Sequence, residues 1–275
     1  MINIGKINTL KIVRHSGGKT YLESGKPSKV LLIDETLPEN SKPGDVMTVF
    51  VYSSEGQLVA TSQIPLALVD EIAWLKVVSV NYYGAFLDWG LHKNLLLPFN
   101  EQYKELEVGQ FCLVKLFVDG QNRIAATTKI DKFLSDEAVD FTVGQKVSLL
   151  IADKTELGVK AIINHTHWGM LYGNELFEPV RKGQKRDGYI KRIRDDQKID
   201  LVLHQPGYGK VLSITDSILH KLKENDGALT LSDKSPPEAI YAEFGVSKKV
   251  FKQAIGALYK QKLISLDKAH GIRLI

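Results

Sequence analysis

The chain has 275 residues, 44% of them hydrophobic and 25% charged, with a formal net charge of +4, which implies two or more domains with ample cores. No run of 18 apolar residues occurs and MINIGKINTLK lacks a signal-peptide pattern, so neither a membrane-spanning helix nor a leader is expected; a lone cysteine, Cys112, excludes an intrachain disulfide and fits a reducing cytoplasm. The charge is uneven: residues 143–206 carry 11 basic and 8 acidic groups and residues 211–275 carry 10 and 7, against 7 and 6 in residues 1–68 and 7 and 8 in residues 69–133, so a polyanion is drawn first to the second half.

From the start, a repeat sets the architecture. KPGDVMTVFVYSSEGQLVAT, EVGQFCLVKLFVDGQNRIAAT and RKGQKRDGYIKRIRDDQKIDL each place a glycine turn before two strand-like runs. The turn glycines, Gly44, Gly109 and Gly183, are 65 and 74 residues apart, about one small barrel each. Each hairpin tip is short and polar: SSEGQ, DGQN and DDQK. Three tandem five-stranded barrels are predicted, over 1–66, 69–133 and 143–206. The first keeps TYLES and VLLID as its second and third strands but lacks paired aromatics, and reads as degenerate. Its loop Ser16–Gly25 contains GGKT, the tail of a phosphate-binding loop. The complete motif needs glycine where Val13 stands and a helix to follow, so nucleotide binding is not expected.

The second barrel occupies Lys76–Ile130. VVSV, AFLDW and NLLLPF precede the Val108-Gly109 turn, and FCLVKLFVD and RIAATTKI follow it. Five such runs in this span suit a small closed barrel. Cys112 falls in a strand and is expected as a small core residue. Tyr83-Gly84-Ala85-Phe86-Leu87, the Val-Gly turn and the spacing from Asp119 to Arg123 resemble the ribosomal S1-type RNA-binding domain, an oligonucleotide-binding barrel. Where that family often has histidine after the third strand, this chain has Pro98, which cannot donate a hydrogen bond. Read from the residues, Gly84 marks a bulge that lets Tyr83 and Phe86 reach one surface. Flat rings there stack single-stranded bases at ~1–3 kcal/mol each, and Lys93 and Arg123 contact phosphate. The alternative places both rings in the core; the ordered resemblance favours the surface. Tyr83, Phe86, Lys93, Asp119 and Arg123 are the candidate RNA-binding residues here.

The third barrel replaces the aromatic pattern with GVKAII and offers HWGMLYGNELF as its third strand and following loop. Arg181–Lys198 holds eight basic and three acidic residues. Strand alternation puts Arg192 and Arg194 on one face and Lys191 on the other. Lys191, Arg192, Arg194 and Lys198 are candidate phosphate contacts, with a solvated face as the alternative. Trp168 and Tyr172 are stacking rings or core, and at least one is expected in the core. His165 and His167 alternate onto one strand face, as a metal pair would, but no third ligand has a suitable spacing. They are expected to be structural, with no metal or cofactor. The sequon at Asn164 carries no meaning in a cytoplasmic protein.

From Ser213 the period changes to helical, with Ile214, Ile218 and Leu222 on one face. Ser235 to Glu238 reads as a capping box, Gly245 as a stop, and Ser247 as the cap of KKVFKQAIGALYKQK. Phe251, Ala254, Ile255 and Leu258 form that helix's apolar stripe. LISLD and GIRLI close a hairpin, which completes a winged helix over 211–275. Lys248, Lys249 and Lys252 are candidate contacts to nucleic acid or a partner protein; lysine positions on phosphate more readily than it reads bases.

Over the whole chain this order resembles the bacterial conserved virulence factor B family. HWGMLYGNELF, GYIKRIRDDQKIDL, DKSPPEAIYAEFGVSKKVFKQAIGALYKQKLI and GIRLI carry the resemblance. It implies an RNA-binding protein with regulatory effects and no known catalytic activity. The expectation is a non-catalytic, cytoplasmic, monomeric binder of single-stranded RNA; no heptad seam suggests assembly. The alternative is a DNA-binding transcriptional regulator acting through the winged helix. An RNA-processing enzyme would need paired carboxylates, a nucleophile with its base or a complete phosphate loop, and none is legible.

Overall fold

The computed structural model describes residues 2–17, 19–23, 29–32, 41–138, 140–176, 179–204, 208–267 and 271–275. Parts of GGKT, VLLID, HWGMLYGNELF and KAHG lie outside the described residues.

Alternation along the strands builds the barrels. In β6 (Ile72–Asn81), Ala73, Leu75 and Val77 point into a core while Trp74, Lys76 and Val78 face outward. The first barrel comprises β1 (Lys6–Ser16), β2 (Lys19–Glu23), β3 (Lys29–Leu32), β4 (Val46–Ser54) and β5 (Gln57–Thr61), closed in the order β1-β2-β3-β5-β4. The second repeats that order with β6, β7 (Gly84–Asp88), β8 (Leu95–Pro98), β9 (Phe111–Val118) and β10 (Ile124–Thr127). The third does so with β11 (Lys146–Lys154), β12 (Gly158–Ile163), β13 (His167–Tyr172), β14 (Lys185–Ile193) and β15 (Ile199–Val202). In each, the third and fifth strands pair parallel. Closure removes the free edges on which sheets aggregate.

The repeat is physical as well as textual. Gly44, Gly109 and Gly183 have φ of 106°, 91° and 82°, values at which glycine carries no steric penalty. Their N–H groups donate to Ile12 O, Val77 O and Ile151 O, each at 2.8 Å. At each of those acceptors the first-to-second-strand register slips: after Ile12, after Val77 and after Ile151. The bulge predicted at Gly84 therefore lies on the partner strand, β6.

The C-terminal region is a winged helix: α1 (Tyr208–Glu224), β16 (Ala228–Leu229), α2 (Pro237–Phe244), α3 (Lys248–Lys260), β17 (Ile264–Asp267) and β18 (Gly271–Leu274), with sheet order β16-β18-β17. Ile218, Leu222 and Ile240 pack with Phe251, Ala254 and Leu258 in one core. The two-residue β16 escaped prediction because it has no period to read. The capping box is corrected: Pro236 holds the N-cap position of α2 without a side-chain bond, and Ser235 Oγ accepts from Ser232 N at 2.9 Å instead. Ser247 does cap α3, accepting from Val250 N, and Gly245 ends α2 at φ 65°.

The chain divides into two compact units, Met1–Ser135 with Asn164–His167, and Asp136–Ile163 with Trp168–Ile275. Within the first, barrels one and two share a core: Phe50 meets Trp89 edge-on with ring centroids 5.7 Å apart. Gly5 N donates to Val51 O and Gly5 O accepts from Val69 N. The histidines do not share a strand face. His165 lies in a turn at φ 62°, and its Nδ1 accepts from Ile72 N at 2.9 Å within the first unit, whereas His167 opens β13. No helix among the described residues is long and apolar enough to cross a membrane.

Candidate nucleic-acid interface

The second strand of barrel two begins at a tight turn. Asn81 Oδ1 accepts from Tyr83 N at 2.9 Å, an Asx turn that lifts two rings into solvent. Tyr83 is 59% exposed and Tyr82, which sequence reasoning passed over, is 80% exposed. Their centroids are 4.1 Å apart. Gly84 follows at φ 148°, and a Cβ there would stand 2.3 Å from Leu97 O. The glycine is thus demanded by the close pass of β8.

Phe86, half-buried, pairs with Ser79 on β6 and Leu96 on β8. It lines a cleft of about 470 Å³ together with Lys93, Asp119 and Arg123. Four of the five candidates of barrel two therefore converge, while Tyr83 stands apart on the turn. The opposite wall was not foreseen: Tyr52, Ser53, Glu55 and Gly56 of barrel one line the same cleft.

Asp119 is spent inside its own loop. Its Oδ1 accepts from Gln121 N at 2.8 Å and Arg123 N at 2.9 Å, and its Oδ2 from Arg123 Nε at 2.8 Å. Burial pushes the carboxyl pKa up, but hydrogen bonds from Arg123 and Gln121 outweigh it and hold the pKa below the ordinary value. Asp119 thereby orients the Arg123 guanidinium while itself lining the cleft. Lys93 is exposed; its Nζ reaches Ser54 Oγ at 3.5 Å, and its backbone oxygen accepts from Trp89 Nε1 at 2.6 Å. Pro98 is the last residue of the third strand, β8, rather than beyond it, and pairs with Gly84. Cys112 is buried as expected, and burial pushes its thiol up to about 11.

The register slips align the barrels residue by residue. Ile12, Val77 and Ile151 pair with Leu22, Leu87 and Ala161. One residue earlier stand Tyr21, Phe86 and Lys160. Barrel one thus has a ring at the Phe86 position, with the Arg14 guanidinium 4.8 Å from its centroid. Sequence reasoning missed Tyr21 because the equivalence depends on bulges that strand alternation does not reveal. In barrel three, Lys160 Nζ lies 4.0 Å from the Trp168 ring centroid, and Trp168 is only 8% exposed. A buried ring covered by an ammonium group is packed rather than presented for stacking.

The basic cluster of barrel three is partly neutralised. Lys191 pairs with Glu175, and Arg194 and Lys198 pair with Asp196 at 3.1 and 3.7 Å. Arg192 has no ion pair among the described residues. The predicted alternation fails because the register slips between Ile190 and Arg192. Lys191 and Arg192 are both exposed, and Arg194 lies beyond the strand. On α3, Lys249 and Lys252 are exposed, whereas Lys248 donates to Ser235 O at 2.9 Å and is tied to its own domain.

The CvfB-like winged helix domain matches residues 216–274, and the S1 domain matches residues 4–63 and 71–129. Conserved virulence factor B of Staphylococcus epidermidis is 26% identical over 275 residues, covering 96% of this chain and 92% of that protein. The chain carries S1 domains and a CvfB-like winged helix domain. Uncharacterized protein YitL of Bacillus subtilis is also similar, 26% identical over 93% of this chain and 89% of its own length. A crystal structure of a multidomain protein with nucleic acid binding domains from Streptococcus pneumoniae aligns over 99% of this chain and 98% of that one, with 23% identity and a TM-score of 0.41; an overlap that loose carries no functional argument. The S1 match over 4–63 falls on barrel one. S1 domains and winged helices are nucleic-acid-binding modules, and nucleic-acid binding by this chain rests on them.

Proposed function

We propose that this protein binds single-stranded RNA and performs no chemistry on it, as a monomeric cytoplasmic regulator of gene expression. Four modules divide the work, over 1–66, 69–133, 143–206 and 211–275. The observation that carries this reading is Phe86: a half-buried ring in a cleft flanked by Lys93 and by an Arg123 guanidinium that Asp119 holds in place. An unpaired base offers a face to such a ring, and phosphates take the cations. The winged helix is the weaker reader, since Lys248 is occupied internally and lysines discriminate bases poorly.

Fluorescence anisotropy with an unstructured RNA oligonucleotide tests this. Phe86→Ala, if its circular dichroism matches wild type, weakens binding about 5- to 150-fold, the equivalent of ~1–3 kcal/mol. Unchanged affinity overturns the assignment. Displacement of the RNA by equimolar duplex DNA favours the DNA-binding reading instead.

A further inference from the structure

The β4–β5 hairpin of barrel one faces a site that is not its own. Ser54 pairs with Gln57 across a two-residue turn whose Glu55 and Gly56 have φ of 52° and 77°. Positive φ at both centres gives the twisted turn that matches its strands. Behind the tip, Phe50 of β4 packs edge-on against Trp89, and Tyr52 belongs to the same core. The hairpin is therefore braced against barrel two rather than hanging free. Its Ser53 and Glu55 line the cleft that holds Phe86, and Ser54 meets Lys93.

We propose that this hairpin is the second wall of a composite nucleotide pocket, which takes one unpaired RNA nucleotide with its base on Phe86 and barrel one opposite. The proposal rests on the RNA reading above and adds what barrel one does there. The cleft's volume of about 470 Å³ falls in the range of small-ligand pockets, enough for one nucleotide. The walls differ in charge. Lys93 and Arg123, the latter paired with Asp119, stand on barrel two, and the Glu55 carboxylate stands on barrel one, so the barrel-two wall keeps a net positive charge. Phosphates are thus drawn along barrel two and repelled from the hairpin, which fixes the direction in which the base enters. Ser53 and Asn94, at the cleft lining, offer a hydroxyl and an amide to the base edge.

Thiol protection tests the wall directly. The native Cys112 is buried with its thiol pushed up to about 11, so in Ser53→Cys the introduced thiol is the one that iodoacetamide modifies near neutral pH. A saturating tetranucleotide of single-stranded RNA is expected to slow that alkylation at least about fivefold, because the reagent needs an accessible thiolate. The double variant Ser53→Cys/Phe86→Ala loses the protection. Glu55→Gln, a change on an exposed turn, tightens binding of the same oligonucleotide about two- to fivefold at low salt. An unaltered alkylation rate, while anisotropy shows Phe86-dependent binding, overturns the composite pocket and leaves the RNA reading standing. Binding that survives Phe86→Ala overturns both.

Discussion

At the scale of residues, the carboxylate of Asp119 shows how a binding motif and a folding motif overlap. Its contacts with Gln121 and Arg123 lower its native pKa below the ordinary value. A depressed carboxyl stabilises the fold above its unfolded pKa of about 3.9 and loses that contribution as pH falls through the native value. Asp119→Asn therefore costs about 1 kcal/mol at neutral pH in urea unfolding, and the gap to wild type closes below roughly pH 4. The Asp-to-Arg spacing was legible in the sequence; that the acid gathers the N–H groups of its own loop was not, because spacing says nothing of which donors an oxygen meets. Trp168 is a similar case. Its ring was visible, but the lysine laid over it is eight residues away and arrives only when β12 and β13 pair.

At the scale of elements, the second strand of barrels two and three separates two jobs. Gly84 and Gly158, at φ 148° and 154°, leave room for the backbone of the following strand, where a Cβ would stand 2.3 Å from Leu97 O and 2.1 Å from Leu171 O. Two residues on, the outward position carries Phe86 in one barrel and Lys160 in the other. Gly84→Ala is expected to destabilise barrel two by at least about 2 kcal/mol, read as an earlier thermal transition, since neither backbone can yield cheaply. A Phe86 substitution, on the open side of the same strand, leaves that transition near its wild-type temperature. Strands, turn glycines and the helical stripe of Phe251, Ala254, Ile255 and Leu258 were readable because each follows from a period or a forced φ. The bulges were not, since they break the period that reveals strands, and with them went the equivalence of Tyr21 to Phe86. The cap at Ser235 failed for a related reason: two prolines in succession delay the helix by one residue.

At the scale of the whole molecule, charge sets how the sites cooperate. Each phosphate neutralised on a single strand contributes about −0.7 to the slope of log affinity against log salt. Reversing Lys249 and Lys252 together to glutamate, both exposed on α3, flattens that slope for a long RNA and weakens binding. An unaltered slope removes α3 from the interface. Linked weak modules gain through effective concentration when one strand can reach them in turn. The matching turn glycines and bulges of the three barrels have a wider consequence. Because the closing geometry is held by Gly44, Gly109, Gly183 and the slipped registers beside them, the outward residue of the second strand is free to change without disturbing closure. Tyrosine, phenylalanine and lysine occupy it in turn, so one chassis, copied three times, can drift into three different tastes for the same polymer.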